Sequence, residues 1–165
     1  MKNKKFNNFF LAFVILLFAF GGCTGIYEDG KELANDAKTR ITEINVQDLK
    51  SMIDTGATFL LIDVRQKDEY SKGNIIGSIS IPRGVLEFKI NNEQYWEEEF
   101  MYPPLKEDEI IIYCKSGARG ALATESLKKL GYTNVKNLTG GIVAFDPELA
   151  GGKGKKQEES SGCGG

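Results

Sequence analysis

A cysteine and two cations lie close together at one point of the chain, between an apolar run and a helix-like run. Cys114, Lys115 and Arg119 fall within six residues of one another, with a glycine between them. The apolar residues 110–113 predict a buried strand before the cysteine, and residues 121–130 predict a helix after it. Backbone N–H groups at such a turn point inward and the helix dipole adds partial positive charge, so the turn favours an anion and stabilises a thiolate. These residues therefore predict a nucleophilic cysteine in an anion-binding loop.

The alternative for Cys114 is a small buried residue without chemistry, which is what most free cysteines are. A strand-to-helix junction at the carboxyl end of a parallel sheet is, however, where ligands bind in open α/β folds. The chain also contains no histidine, which excludes activation of the cysteine by histidine and any histidine-based metal site. The field of the loop itself is then the means of ionising Cys114, and no metal ion or organic cofactor is required.

The loop Cys114-Lys115-Ser116-Gly117-Ala118-Arg119 closely resembles the six-residue active loop of rhodanese-like sulfurtransferases. Three further segments resemble that family in the same order. Residues 60–65 are similar to its strand ending in Asp-Val-Arg, residues 69–82 to its Gly-His-Ile-Pro segment, and residues 130–141 to its closing helix and strand. The resemblance spans roughly residues 41–147, and the order and spacing of the segments make it specific.

This resemblance implies an α/β fold with three layers, α/β/α, around a central parallel sheet. It also implies a sulfurtransferase in which Cys114 accepts sulfane sulfur from thiosulfate or a persulfide and passes it to a thiol or another thiophilic acceptor. The implied partners are a small anionic sulfur donor and a thiol or protein-cysteine acceptor. The implied substrate-binding residues are those of the loop, Lys115, Ser116, Gly117, Ala118 and Arg119.

The pattern of apolar runs independently favours the same fold class. Runs that predict strands alternate with runs that predict helices, which is typical of a parallel sheet covered on both faces. The predicted strands are residues 41–44, 59–64, 78–81, 110–113 and 135–138. The predicted helices are residues 46–54, 67–71, a helix-rich stretch over 85–100, and 121–130.

Three residues outside the loop are candidates for accessory roles. Asp63 and Arg65 end a predicted strand and could take part in catalysis, although a pair in that position is more often a structural ion pair. Cys163 lies on a tail rich in Gly, Lys and Ser that cannot bury a core. On a mobile arm it could take the sulfane sulfur from Cys114 or close a disulfide with it. The alternative is a tail cysteine that pairs elsewhere.

Two other functions compete with the enzyme. Cysteine-based phosphatases and arsenate reductases of related fold have a loop that resembles Cys, five residues, Arg, whereas only four residues separate Cys114 from Arg119. The shorter loop makes a tighter cradle, which suits a sulfur atom better than a tetrahedral phosphate or arsenate. The other competitor is an exported persulfide carrier or sensor, which needs the same cysteine persulfide but does not turn over a small donor.

The amino terminus predicts export and attachment to a membrane by a lipid anchor. Lysines at positions 2, 4 and 5 precede a charge-free apolar run over residues 9–20, which is shorter than the roughly 20 residues of a spanning helix and typical of a signal sequence. Small residues before Cys23 resemble a lipoprotein processing site, so Cys23 is the predicted lipidation site. The predicted location is the cell envelope or periplasmic face. The alternative is a plain signal peptide with cleavage nearby.

These features divide the chain into a signal peptide at residues 1–22, a tether at 23–40, a rhodanese-like domain at 41–149 and a flexible tail at 150–165. The formal net charge is −2 at pH 7, and loss of the first part with its three lysines leaves −5. A net acidic chain without a basic stripe argues against nucleic acid as a partner. The remaining domain of about 110 residues is long enough for a single hydrophobic core.

Overall fold

The computed structural model describes residues 25–151, in which five strands alternate with helices along the chain. The strands are β1 (Thr42–Ile44), β2 (Leu60–Asp63), β3 (Ser78–Ser80), β4 (Ile110–Tyr113) and β5 (Val135–Leu138). The helices are α1 (Gly30–Lys38), α2 (Val46–Asp54), α3 (Lys67–Lys72), α4 (Leu86–Lys89), α5 (Glu93–Glu98), α6 (Ala118–Lys129), α7 (Gly141–Phe145) and α8 (Pro147–Gly151). A 3₁₀ turn, Arg83–Val85, precedes α4.

The strands form one parallel sheet in the order β1-β5-β4-β2-β3, so β4 lies at its centre. Every residue of β4 is fully buried. Successive side chains of a strand point to opposite faces, so Ile110 and Ile112 enter one core whereas Ile111 and Tyr113 enter the other. A continuous apolar strand of this kind is what a sheet covered on both faces requires.

Helices cover both faces of the sheet. On one face α4, α5 and α6 pack over the strands through residues such as Trp96 and Leu127. On the other face α2 and α7 pack through Leu49 and Ile142. The prediction of a three-layer α/β/α fold around a central parallel sheet is therefore confirmed.

Residues 30–38 form a helix, so the prediction of a tether up to residue 40 is wrong for this stretch. Asp29 caps α1 by accepting hydrogen bonds from two N–H groups of the first turn, both at 2.8 Å. Ala34 and Ala37 are buried where α1 packs against α6. The polar composition concealed this helix because two small residues three positions apart are its only fully buried contacts. The folded unit therefore begins before residue 41.

The helix-rich stretch predicted over residues 85–100 consists of two short helices, α4 and α5. The chain turns between them, and Asn92 caps α5 by accepting a hydrogen bond from the N–H of Tyr95 at 2.8 Å. Trp96 is fully buried, and its indole N–H donates to the carbonyl of Ile90 at 2.9 Å. This buried aromatic holds the two short helices against the sheet.

No helix within residues 25–151 is long and apolar enough to cross a membrane. The predicted signal peptide, the predicted lipidation site Cys23 and the tail residue Cys163 lie outside the described residues. What the sequence indicates for these three features stays a prediction.

Candidate active site

Cys114 lies at the carboxyl end of the central strand β4, where the chain turns into α6. Its side chain is 1% exposed and carries a free thiol. The N–H of Gly117 donates to the sulfur at 3.1 Å. Gly117 has a φ of +91°, a conformation that side chains disfavour, and this allows the loop to close before α6 begins. The loop therefore directs a backbone donor and a helix N-terminus at the sulfur, an arrangement that suits an anionic ligand.

The first turn of α7 forms two backbone hydrogen bonds with the loop. The N–H of Ile142 donates to the carbonyl of Cys114 at 2.9 Å, and the N–H of Val143 donates to the carbonyl of Lys115 at 3.1 Å. Gly141 permits this approach, because a Cβ at that position would lie 2.4 Å from the Cys114 carbonyl oxygen. Two carbonyls of the active loop are thus held by a helix that follows it by more than twenty residues.

Asn137, on the neighbouring strand β5, forms a hydrogen bond with the loop. Its side chain is fully buried, and its Nδ2 donates to the carbonyl of Gly117 at 3.2 Å and to Glu43 Oε1 at 2.8 Å. A Cβ at position 120 would lie 2.2 Å from Asn137 Oδ1, so Gly120 is what lets α6 approach this amide. Asn137 is not among the site residues predicted from the sequence, although an amide inside a largely buried strand is a usable signal of a polar contact.

Arg119 is paired with the carboxylate of Glu69, which is also absent from the site residues predicted from the sequence. Its Nη1 and Nη2 donate to the two oxygens of Glu69 at 2.7 and 2.8 Å. This bidentate contact lowers the pKa of Glu69 to about 2 and raises the pKa of Arg119 above its ordinary value. The side chains are 37% and 28% exposed, so the pair lies at the mouth of the site in contact with solvent.

The other cation of the loop is free of such a partner. Lys115 is exposed and has no ion-pair partner among residues 25–151. Ser116 is exposed beside it, whereas Gly117 and Ala118 turn into the protein. Of the predicted loop residues, Gly117 contacts the sulfur through its N–H, whereas the side chains of Lys115 and Ser116 face solvent. Glu69 reduces the charge of the two cations to a net of about +1.

Asp63 and Arg65 form a buried ion pair at the end of β2. Arg65 Nη2 lies 2.7 Å from Asp63 Oδ2, and both side chains are almost completely buried. The same Nη2 donates to the carbonyl of Gly73 at 2.6 Å, which ties the end of α3 to the strand. This geometry matches the structural ion pair that the sequence left open as the alternative. A catalytic contribution of the two residues stays a prediction.

The family model described as the rhodanese-like domain matches residues 45–148, which is more than half of the chain and contains the whole active loop. The chain belongs to the rhodanese-like domain family. Helix α1 lies before the residues that match the family model. It packs against α6, which lies within the matched residues.

The curated proteins that resemble this rhodanese-like domain carry the names of sulfurtransferases or of a sulfur carrier. A Schizosaccharomyces pombe protein, provisionally named a mitochondrial thiosulfate sulfurtransferase, is 40% identical over 92 residues, which are 54% of this chain and 65% of that protein. A Bacillus subtilis protein provisionally named a sulfur carrier is 31% identical over 68% of this chain and 55% of its own length. The human thiosulfate:glutathione sulfurtransferase is 31% identical over 59% of this chain and 86% of its own. The chain thus spans less than two thirds of the first two relatives.

The solved structures that resemble this rhodanese-like domain include one described as a sulfurtransferase and one described as a candidate phosphatase. The human single-domain sulfurtransferase is 30% identical, with a TM-score of 0.58 over 62% of this chain and 93% of that one. A Rhodopseudomonas palustris protein of unknown function, described as a candidate tyrosine phosphatase, is 27% identical, with a TM-score of 0.60 over 76% of this chain and 94% of that one. The fold alone therefore does not choose between sulfur and phosphate chemistry.

Proposed function

We propose that the protein is a sulfurtransferase that moves sulfane sulfur from thiosulfate, or from a persulfide, through a persulfide on Cys114 to a thiol acceptor. The observation that supports this most directly is the thiol of Cys114 in a loop where four residues separate it from Arg119. The N–H of Gly117 lies 3.1 Å from the sulfur. The names of the human and S. pombe relatives agree with this reaction.

The reaction has two half-reactions with the cysteine as the carrier. The Cys114 thiolate attacks the outer sulfur of thiosulfate, the S–S bond of the donor breaks, and sulfite leaves with the bonding electron pair. The acceptor thiolate then attacks the outer sulfur of the Cys114 persulfide, and Cys114 leaves as a thiolate. Sulfur atoms and charge balance in both steps, no redox partner is needed, and the kinetics are ping-pong.

The charges around the sulfur favour an anionic donor. Lys115 and Arg119 border the loop, and the Glu69 carboxylate cancels one of these two charges. The remaining positive charge and the N-terminus of α6 stabilise a sulfite group as it leaves. A neutral sulfur donor would not use this field, so thiosulfate or a persulfide anion is the preferred donor.

The experiment that tests the reaction is steady-state release of sulfite from thiosulfate in the presence of a thiol. Repeated turnover supports the enzyme, whereas a single stoichiometric burst followed by no turnover supports a persulfide carrier or sensor instead. Mass spectrometry of the protein after thiosulfate alone should show one added sulfur atom on the peptide that contains Cys114.

A phosphatase or arsenate reductase is the second candidate, because one of the structural neighbours is described as a candidate tyrosine phosphatase. The short spacing between Cys114 and Arg119 argues against it, since four intervening residues make a smaller cradle than a tetrahedral oxyanion needs. Hydrolysis of p-nitrophenyl phosphate faster than sulfite release from thiosulfate would favour this candidate over the sulfurtransferase.

The protein is also proposed to be exported and attached to a membrane by acylation at Cys23. The support is the sequence alone: three lysines, an apolar run and two glycines that precede the cysteine. Fractionation of cells should find the protein with the membranes, and Cys23→Ser should release it or change its processing. Full-length protein in the cytosol would contradict export.

A further inference from the structure

Glu69 is held from two sides at the mouth of the Cys114 site. Its carboxylate accepts hydrogen bonds from both Nη groups of Arg119, at 2.7 and 2.8 Å, and from the backbone N–H of Gln66 at 3.2 Å. The contact with Gln66 belongs to the capping box that begins helix α3. The carboxylate is therefore fastened to both α3 and α6, and its negative charge is a fixed part of the site.

Arg119 is adjacent to both this carboxylate and the sulfur of Cys114. The Glu69 carboxylate is the main cause that raises the pKa of Arg119 above its ordinary value, and the sulfur of Cys114 contributes to the same rise. Both Nη groups of the guanidinium already donate to Glu69. An oxyanion that approaches the sulfur therefore meets a guanidinium whose charge a carboxylate balances.

The charged side chains at the mouth nearly cancel one another when the cysteine is ionised. Lys115 is exposed and contributes one positive charge, whereas the ion pair of Arg119 and Glu69 contributes none. A thiolate at Cys114 contributes one negative charge. Each negative charge on a sulfur donor is repelled by the carboxylate, so a dianion is repelled twice as strongly as a monoanion.

We infer that Glu69 is a specificity-determining residue, which disfavours the doubly charged thiosulfate relative to a sulfur donor with one negative charge. It acts through Arg119 and is therefore a positioning residue. This inference rests on the proposed sulfur transfer and narrows the donor to a singly charged sulfane anion, such as a thiosulfonate. The Cys114 thiolate attacks the outer sulfur of the thiosulfonate, the S–S bond breaks, and a sulfinate leaves with the bonding electron pair. Atoms and charge balance without a further reactant.

The capping box gives Glu69 a structural role, and two substitutions separate that role from its charge. Glutamine also serves at this position of a capping box, because its side-chain oxygen can accept the N–H of Gln66. Glu69→Gln therefore removes the charge and keeps the cap of α3. Glu69→Ala removes both the charge and the cap.

The test compares thiosulfate with methanethiosulfonate, an anion in which a methyl group replaces one charged oxygen. The measured quantity is the second-order rate constant of persulfide formation on Cys114, followed by quenched-flow mass spectrometry. Glu69→Gln should raise this constant about threefold for methanethiosulfonate and on the order of tenfold for thiosulfate, because two unit charges at a solvent-exposed site interact with an energy of about RT. The difference in reactivity between the two donors cancels when the variant is compared with the wild type.

Asp68→Asn is the matched control, because Asp68 is the preceding residue of α3, is 71% exposed and pairs with Lys72 at 3.8 Å. It should leave the ratio of the two rate constants as in the wild type. Glu69→Ala should shift the ratio in the same direction as Glu69→Gln. An unchanged ratio in Glu69→Gln, or an equal change in Asp68→Asn, would overturn the inference.

Binding of unreactive anions separates this inference from the proposed reaction. Sulfate and methanesulfonate resemble the two donors in shape and charge but contain no sulfane sulfur, and titration followed by NMR measures their Kd. Glu69→Gln should lower the Kd of sulfate on the order of tenfold and that of methanesulfonate about threefold. These shifts without persulfide formation from either donor would support the role of Glu69 and contradict the sulfurtransferase. Persulfide formation without these shifts would support the sulfurtransferase and contradict the role of Glu69.

Discussion

At the scale of single residues, the proposed chemistry depends on one sulfur atom and on the groups that face it. Cys114 is almost completely buried, yet it lies where a strand ends, a helix begins and a backbone N–H points at the sulfur. A cysteine buried in an apolar core would be inert, whereas this position stabilises a negative charge. The proposed role of Cys114 as a nucleophile rests on this local environment and not on the residue type alone.

Replacement of Cys114 by serine should abolish sulfur transfer and leave the fold intact. The hydroxyl is nearly isosteric with the thiol, but it cannot form a persulfide. Sulfite release should fall to the level without protein, and the urea unfolding midpoint should change little. Sulfite release from thiosulfate at the wild-type rate would show that another residue carries the sulfur.

Neutralising the cations of the loop should act on the charged donor. Lys115→Gln and Arg119→Gln should each lower kcat/KM for thiosulfate by roughly one to two orders of magnitude relative to an uncharged trisulfide donor, because a charge-assisted contact contributes ~1.5–3 kcal/mol. The exposed Lys129, on α6 and paired with Glu125, provides a control as Lys129→Gln. Equal losses with both donors would mean that the cations do not bind the anion.

At the scale of elements, the active loop is positioned by segments that follow it in the chain. The first turn of α7 holds two of its carbonyls, and β5 holds a third through Asn137. Helix α3 meets α6 through the ion pair of Glu69 and Arg119. Asn137, Glu69 and the first turn of α7 therefore act as positioning residues for the loop.

A pair of glycine variants separates backbone strain from steric contact at α7. Gly141 and Gly56 have similar φ values, +60° and +68°, but a Cβ meets the Cys114 carbonyl only at position 141, and nothing lies within 4 Å at position 56. Gly56→Ala should cost about 1 kcal/mol of unfolding free energy. Gly141→Ala should cost clearly more unfolding free energy, as measured by urea unfolding. It should also slow persulfide formation, as measured by the rate of the sulfite burst. Equal costs would mean that α7 does not constrain the loop.

The ion pair between α3 and α6 should contribute stability that depends on pH. Because Arg119 lowers the pKa of Glu69 from 4.5 to about 2, this contribution is complete above about pH 5 and is lost as the pH falls towards 2. Glu69→Gln should cost about 1 kcal/mol at pH 7, a small value because solvent screens the pair, and nothing near pH 2. Urea unfolding across this pH range measures the difference.

Asp68→Asn is the control for that series. Asp68 lies next to Glu69 on α3 and is 71% exposed, and its one ion-pair partner among residues 25–151 is Lys72 at 3.8 Å. Its replacement should have little effect at any pH. A loss for Glu69→Gln that is the same at every pH would show that the effect comes from packing and not from charge.

At the scale of the whole molecule, the folded unit is larger than the family match. Helix α1 lies before residue 45, and Ala34 and Ala37 are buried against α6, the helix that carries the active loop at its start. Arg40 adds an ion pair to Glu125 on the same helix. The segment expected to be a tether therefore covers one side of the domain.

Two truncations test the contribution of this helix. Removal of residues 1–28 keeps the cap Asp29 and all of α1, so the unfolding free energy should stay close to that of the full chain. Removal of residues 1–40 exposes the apolar face of α6 and should cost about 2 kcal/mol or more. Equal stability of the two truncated proteins, by urea unfolding, would show that α1 adds nothing to the fold.

The sequence by itself determined the fold class and singled out the loop in which Cys114 is the predicted nucleophile. Both are encoded locally: the alternation of apolar strands and helices follows from periodicity, and the active loop is six consecutive residues whose order is visible in the chain. Only the tertiary structure decided which groups surround the sulfur. Glu69 and Arg119 are 50 residues apart, and Asn137 and Gly117 are 20 apart. Contacts of this kind depend on which faces pack together, and that is set by the summed burial of the whole core, which no local pattern of residues contains.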